Sequence, residues 1–261
     1  MITTKYHSAS EIGNNTWKIS EDGMVNCYLL LGKNSALLID TGIGLGNVKE
    51  IIDKITSLPI TVVLTHMHPD HAGGLSLFHE YYVMKEDFAM SYSFLSMPVF
   101  SRIMIKMAKV KDPVMPKLFY HSVRHELRDG QMFNLGGRTI HAMAVPGHTK
   151  GSAVFIDDAN KMIFTGDDIN ISLWMHLPGC TGMKTWQTGA KKIIEYFVKG
   201  YSGWDGHSEG QQTEEQVKAT YHLSEELIQE AEEGTLDKKE NCIPNKDTFP
   251  QIRYKAGRIL K

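Results

Sequence analysis

The spacing of hydrophobic and polar positions changes several times along the chain, and each change marks an expected element. Residues 16–19 (TWKI) and 24–31 (MVNCYLLL) read as strands, and 35–40 (SALLID) is a short apolar run that ends at Asp40. Gly32 lies between the last two, where a hairpin needs its turn. Over 47–57 the period becomes helical, with Val48, Ile51, Ile52 and Ile55 on one face. Pro59 stops that helix, and 60–64 (ITVVL) is a β-branched run typical of a buried strand. It ends at Thr65, and the next six residues hold three His and one Asp.

Residues 85–128 have a different texture. Met90, Met97, Met104, Met107 and Met115 recur there with Phe88, Phe94, Phe100 and Phe119, and Pro98, Pro113 and Pro116 break the pattern into pieces. The period predicts an apolar helical insertion, either a wall or lid for a substrate or a cap with its own small core. After Asp129-Gly130 the strand pattern resumes over 138–144, 152–157 and 161–165, with turn residues at Gly136-Gly137 and at 157–160. Residues 185–199 form an amphipathic helix pattern. Thr213 and Gln216 have capping-box spacing and open a further helical stretch to about Glu233. The tail from Gly234 is polar, carries Pro244 and Pro250, and ends basic. Two β-rich halves, each followed by helices and without an internal repeat, predict one α/β layered domain over 1–261.

Composition narrows the class. The chain has 261 residues, 42% hydrophobic and 22% charged, which suits a globular domain and excludes disordered or collagenous chains. A net charge of -2 provides no electrostatic footprint for nucleic acid or an anionic membrane. Cys27, Cys180 and Cys242 are odd in number and far apart, so no disulfide framework is expected. The N-terminus lacks a basic-then-apolar leader, and no apolar run reaches the roughly 18 residues of a membrane span. A cytoplasmic protein acting on a small molecule is expected, its oligomeric state left open. The 12 His are unevenly placed.

The segment at 65–71 is THMHPDH. On extended backbone, positions two apart point the same way, so His66, His68 and Asp70 can share a pocket. His71 faces elsewhere unless the chain turns, and Pro69 followed by Ala72-Gly73-Gly74 makes a turn plausible. Three imidazoles and a carboxylate exceed what one ion needs from so short a span. Two ions is the natural reading, with His66 and His68 on one and Asp70 and His71 on the other. His148 (in VPGHT), Asp167 and Asp168 (in FTGDD) and His207 (in WDGH) each follow an expected strand. Each alone is an ordinary loop residue; together they supply the missing ligands.

The ordered set THMHPDH, PGHTKGS (146–152), FTGDD (164–168) and GH (206–207), with LLIDTG (37–42) before it, resembles the metallo-β-lactamase-fold superfamily from about residue 15 to 210. That resemblance implies a four-layer αβ/βα sandwich with two mixed β-sheets, interrupted here by the insertion at about 85–128. It implies that His66, His68 and His148 bind a first metal and Asp70, His71 and His207 a second. Asp167 would bridge them, and Asp40 would be a buried supporting carboxylate. Class B β-lactamases generally carry Cys at the bridging position, so Asp167 places the chain with the branch resembling glyoxalase II, lactonases and phosphodiesterases. Cys180 lies 13 positions beyond that point.

An all-His/Asp set makes Zn the default, with Fe or Mn also able to bind. Two cations about 3.5–4 Å apart would hold a bridging hydroxide for attack on an ester, thioester, lactone or phosphodiester. Asp70 could also shuttle a proton as a catalytic residue. The alternative is an iron oxygenase resembling the persulfide dioxygenases, which needs only the first site. A non-catalytic scaffold has no use for seven converging ligands. Asp168 reads as a cap or loop carboxylate, Gly42, Gly44 and Gly46 as a tight turn and not a dinucleotide fingerprint, and Lys191-Lys192 as a solvated helix face. Residues 174–177 are expected on a loop, either lining the pocket or exposed with one buried aromatic. His7, His79, His121, His125, His141 and His222 have no partner pattern.

Overall fold

Alternation along the strands decides which layer each side chain enters. A computed structural model describes residues 1–93, 97–116, 122–170, 172–236 and 250–260. The first sheet runs β1 (Ile2–Thr3), β2 (His7–Gly13), β3 (Thr16–Glu21), β4 (Val25–Leu31), β5 (Ala36–Ile39), β6 (Ile60–Val63), β7 (Glu80–Met84) and β8 (Val123–Leu127). Its first five strands pair antiparallel and its last four parallel, β5 belonging to both sets. The second sheet contains β9 (Met132–Asn134), β10 (Thr139–Ala144), β11 (Ala153–Asp157) and β12 (Met162–Gly166). While β13 (Ser172–Met175) leaves it to pair with β15 (Gln251–Tyr254), β14 (Ser202–Asp205) joins it parallel to β12.

Both sheets are mixed and stack face to face. Tyr28 and Leu30 of β4 and Leu37 and Ile39 of β5 meet Ala153 and Phe155 of β11 and Phe164 of β12 between the sheets. The intervening Cys27, Leu29, Ala36 and Leu38 point outward, onto Ile51 and Ile52 of α1 (Lys49–Ile55). On the far side, Val154, Ile156 and Ile163 pack under Trp186, Ile193 and Phe197 of α5 (Met183–Val198) and Val217 and Tyr221 of α6 (Glu214–Glu233). Strands with both faces covered show little alternation in the sequence, because every position is buried. The result is the four-layer α/β sandwich. Fully burying each such aliphatic side chain contributes about 1.5–3 kcal/mol.

Local signals agree with several of these elements. Thr213 and Gln216 form the reciprocal capping box of α6, and Gly234 closes it in the left-handed conformation. The structure differs from expectation in three places. The insertion is helical only in part: α3 (Phe88–Ser93) and α4 (Met97–Met107) lie in it, but 123–127 is strand β8, aligned on β7 by parallel pairing. Of residues 174–177, expected as loop, Trp174 and Met175 instead end strand β13, and the polar tail supplies its partner β15. Both are short strands whose edge partners are distant in sequence, so no local period announces them. Phe94, Phe119, His121, Cys242 and Pro244 lie outside the described residues, and Cys27 and Cys180 are buried free thiols. No helix among the described residues is long and apolar enough to cross a membrane.

Candidate metal centre

The expected ligands all follow strands whose C-terminal ends meet at one edge of the sandwich. In the second sheet β10 is antiparallel to β11, β11 to β12, and β14 is parallel to β12, so β10, β12 and β14 run the same way. His148, Asp167 and His207 follow them. From the first sheet β5 and β6 run parallel and deliver Asp40 and His66. Thr65 O accepts from Ala153 N at 2.9 Å and ties the two sheets together at this edge. Crevices outside the carboxyl ends of parallel strands are where α/β sheets build ligand sites.

A single helical turn separates the THMHPDH residues into two groups. His68 is extended (φ -71°, ψ 153°) and caps α2 (Pro69–Ala72), with Pro69 at its first position. Strict alternation would send Asp70 with His66 and His68. The turn instead swings Asp70 and His71 together to the other side. His66 Nε2 and His148 Nε2 lie 3.0 and 2.7 Å from His68 Nδ1. Asp70, His71, Asp167 and His207 converge as a second group, and in each group the candidate ligand atoms all lie within 4.8 Å of one another. Asp167 faces both groups: Oδ1 lies 3.2 Å from His207 Nε2 and 3.4 Å from His71 Nε2, and Oδ2 lies 3.5 Å from His148 Nε2.

The outward-facing nitrogens determine where the protons sit. His68 Nε2 donates to Pro178 O at 3.2 Å, His148 Nδ1 to Trp174 O at 2.8 Å and His207 Nδ1 to Met24 O at 2.8 Å. A carbonyl can only accept, so each of these nitrogens carries the proton, and in the neutral ring the inner nitrogen presents a lone pair. His71 Nδ1 meets Asp40 Oδ2 at 2.8 Å. Thr65 Oγ1 donates to the same oxygen at 2.8 Å and lies 3.0 Å from His66 Nδ1. Lone pairs at 2.7 Å repel unless a cation stands among them. Burial, reinforced by His68, pushes His148 down to about 3, and burial with His71 holds His66 well below its usual range. Protons are therefore a poor choice of cation in that group, and a metal ion fits the donor set.

The second group is acidic enough to hold charge. Burial opposes the His71 imidazolium, but Asp167, Asp40 and Asp70 outweigh it and raise this group well above its usual value. Burial likewise opposes His207, yet Asp167 and Asp70 lift it to about 9. Asp167 is held well below the carboxylate range despite its burial, by His207 and His71. His71 Nε2 and Asp167 Oδ1 are buried without a hydrogen-bond partner, the orphaned pair that a shared cation would satisfy. The first group is sealed, whereas the side chains of Asp70 and His207 are 17% and 34% exposed, so solvent reaches the centre from the second group.

Residues 20–186 match the profile of the metallo-beta-lactamase superfamily. The chain belongs to that superfamily. Among its relatives, the acyl-coenzyme A thioesterase MBLAC2 of Bos taurus is 26% identical over 189 residues, 64% of this chain and 68% of that protein. The atrochrysone carboxyl ACP thioesterase of Aspergillus terreus is 29% identical over 162 residues, 60% of this chain but 42% of the fungal protein. The crystal structure of TTHA1623 in a di-iron-bound form superposes with a TM-score of 0.53 at 20% identity, covering 73% of this chain and 90% of that one.

Supporting groups that motif reading passed over become visible in this superfamily frame. Asp87, fully buried at the start of the insertion, accepts from Met67 N (3.0 Å), Gly151 N (2.8 Å) and Thr149 Oγ1 (2.8 Å). It clamps the His66–His68 loop to the His148 loop through partners 20, 62 and 64 positions away in sequence, too far for a pattern to show. Asp168 is a loop carboxylate, as read from the sequence. Its Oδ1 accepts from His148 N at 2.9 Å, and burial pushes it up to about 8. Asp205 Oδ1 accepts from His207 N at 2.8 Å and from Ser208 N at 2.6 Å, shaping the last ligand loop. Gly206 packs against the centre itself: a Cβ there would lie 2.6 Å from His71 Cε1 and 2.8 Å from Asp167 Oδ1.

Proposed function

We propose that this superfamily hydrolase is a dinuclear metal-dependent thioesterase. The observation that carries the reading is Asp167, whose two carboxylate oxygens face two separate donor groups. His66, His68 and His148 would hold one divalent ion and Asp70, His71 and His207 a second, with Asp167 contributing an oxygen to each. When bound, such a pair supplies an acidified water near neutral pH and an electrophile for the substrate carbonyl. The di-iron form of a structural neighbour supports iron beside zinc as a candidate metal.

The chain's own residues have distinct tasks. Asp40, Thr65 and the carbonyls of Pro178, Trp174 and Met24 orient the imidazoles so that the inner nitrogens are free to coordinate. Asp70 Oδ2, partly open to solvent and 3.6 Å from His207 Nε2, is placed to take a proton from the attacking water. The same oxygen can return it to the departing sulfur, giving a free thiol and a carboxylic acid that releases its own proton to water. Thioester hydrolysis is favoured over the lactone and phosphodiester readings by the relatives named for acyl-coenzyme A and acyl-carrier thioesters.

The test is a substrate panel on protein loaded separately with Zn, Fe or Mn. Thiol release from thioesters, abolished by a chelator and recovered on metal addition, is the expected result. Turnover of phosphodiesters or lactones with thioesters untouched would overturn the thioesterase assignment.

A further inference from the structure

Trp174 stands out among the aromatic residues near the centre. The residue is 37% exposed, against 1% for Trp186 and 9% for Trp204, yet its backbone carbonyl holds His148 Nδ1 at 2.8 Å. An exposed aromatic residue therefore also supports a candidate ligand through its backbone. Parallel pairing of β13 with β15 sets Arg253 opposite Trp174, and Arg253 Cζ lies 4.4 Å from the indole centroid. Arg253 Nε is buried without a hydrogen-bond partner. The His176 ring lies 5.5 Å from the same indole. Further along the segment, Arg258 Nη1 donates to Leu177 O at 2.8 Å, so this basic segment is anchored to the loop whose Pro178 carbonyl holds His68.

We propose that Trp174 and Arg253 form a recognition platform for an adenine nucleotide carried on the thiol of the substrate, as in coenzyme A thioesters. This rests on the thioesterase reading and goes further, because it selects between two kinds of thiol carrier. A purine offers a flat ring to the part of the indole left open, and its phosphates offer negative charge to the guanidinium stacked on that indole. A pantetheine arm on a carrier protein has no base to stack. The platform lies on β13 and β15, both of which start after Asp167. Arg253 itself falls beyond residue 186, where the superfamily match ends. Leaving-group selection would thus be a property of this chain and not of the shared metal centre.

The experiment compares octanoyl-coenzyme A with octanoyl-pantetheine, which share the acyl group and the scissile bond. Wild-type protein should prefer the nucleotide-bearing substrate by at least about tenfold in kcat/KM, mostly through KM. Arg253→Gln and Trp174→Ala should bring the two substrates to within about twofold, and Arg253→Lys should restore only part of the preference. Trp174→Ala keeps the backbone carbonyl on His148, and thermal melting of each variant controls for folding. Equal use of both substrates by wild type, or a preference unchanged in the variants, would overturn the platform while leaving the thioesterase intact. If no thioester is turned over, calorimetric binding of adenosine 3′,5′-bisphosphate decides separately. Binding that Arg253→Gln abolishes supports the platform, and no binding by wild type overturns it.

Discussion

Asp40 Oδ2 lies 2.8 Å from His71 Nδ1, and the same oxygen accepts from Thr65 Oγ1, which lies 3.0 Å from His66 Nδ1. One carboxylate thus orients an imidazole in each donor group. Asp40 reaches that position from a left-handed backbone (φ +62°), which Asp tolerates better than bulkier residues do. Its other oxygen accepts from Thr65 N at 2.8 Å, so both oxygens of the group are engaged.

Replacing that carboxylate should therefore weaken the metal centre without touching a ligand. An amide in Asp40→Asn cannot accept from Thr65 N, Thr65 Oγ1 and His71 Nδ1 together. Metal affinity should fall about 10–100-fold, read by competition with a chromogenic chelator. Unchanged affinity would mean that His71 does not depend on Asp40 for its orientation.

The two donor groups should lose metal separately. Elemental analysis of wild-type protein is expected to give close to two ions per chain, and His207→Ala about one, with most turnover gone. His207 is the most exposed of the candidate ligands, so this variant disturbs the fold least. One iron per chain in the wild type, with oxygen uptake on a persulfide, would instead favour the mononuclear oxygenase.

Proton release should report which group is being filled. In the metal-free chain His207 is raised to about 9 and His71 well above its usual 6.5. Raised imidazoles contribute stability fully below about pH 6.5, and that contribution is lost as pH rises through about 9. Metal binding needs both rings neutral, so filling this group at pH 7 should expel about two protons. Burial keeps His66 and His148 neutral already, and they add none. Calorimetry in two buffers of different ionisation heat measures the count; no release would contradict the charge state derived from Asp167 and Asp70.

Asp87→Ala tests the clamp between ligand loops. It leaves Met67 N, Gly151 N and Thr149 Oγ1 without their buried acceptor, which should cost at least about 2 kcal/mol. For a chain of this size that is a fall in Tm of about 4–8 °C. A melting point within a degree of wild type would remove Asp87 from the structural account of the site.

The candidate centre was legible in the chain because its residues are dense in one short segment and each further candidate ligand follows an apolar run. THMHPDH, the VPGHT loop, FTGDD and WDGH were all visible as strand-end residues, and the strands over 25–31, 36–39, 60–63, 153–157 and 162–166 stood within a residue or two of their expected positions. The helices α1, α5 and α6 were equally plain, since each buries one face and repeats at the helical period. Patterns of this kind are local, and local spacing is all that a linear reading can weigh.

The tertiary structure decided what depends on residues distant in sequence. Alternation alone lets His66, His68 and Asp70 share a pocket, and the split expected from ligand count and Pro69 acquires its geometry only from the turn of α2, which sends Asp70 and His71 to the opposite side. The clamp at Asp87, the strand pairing that sets Arg253 on Trp174 and the conversion of 123–127 from expected helix to β8 each rest on a partner dozens of positions away. A hydrogen bond or a strand pair is specified by geometry across the fold and leaves no period behind, so these features become readable only once the chain is closed around them.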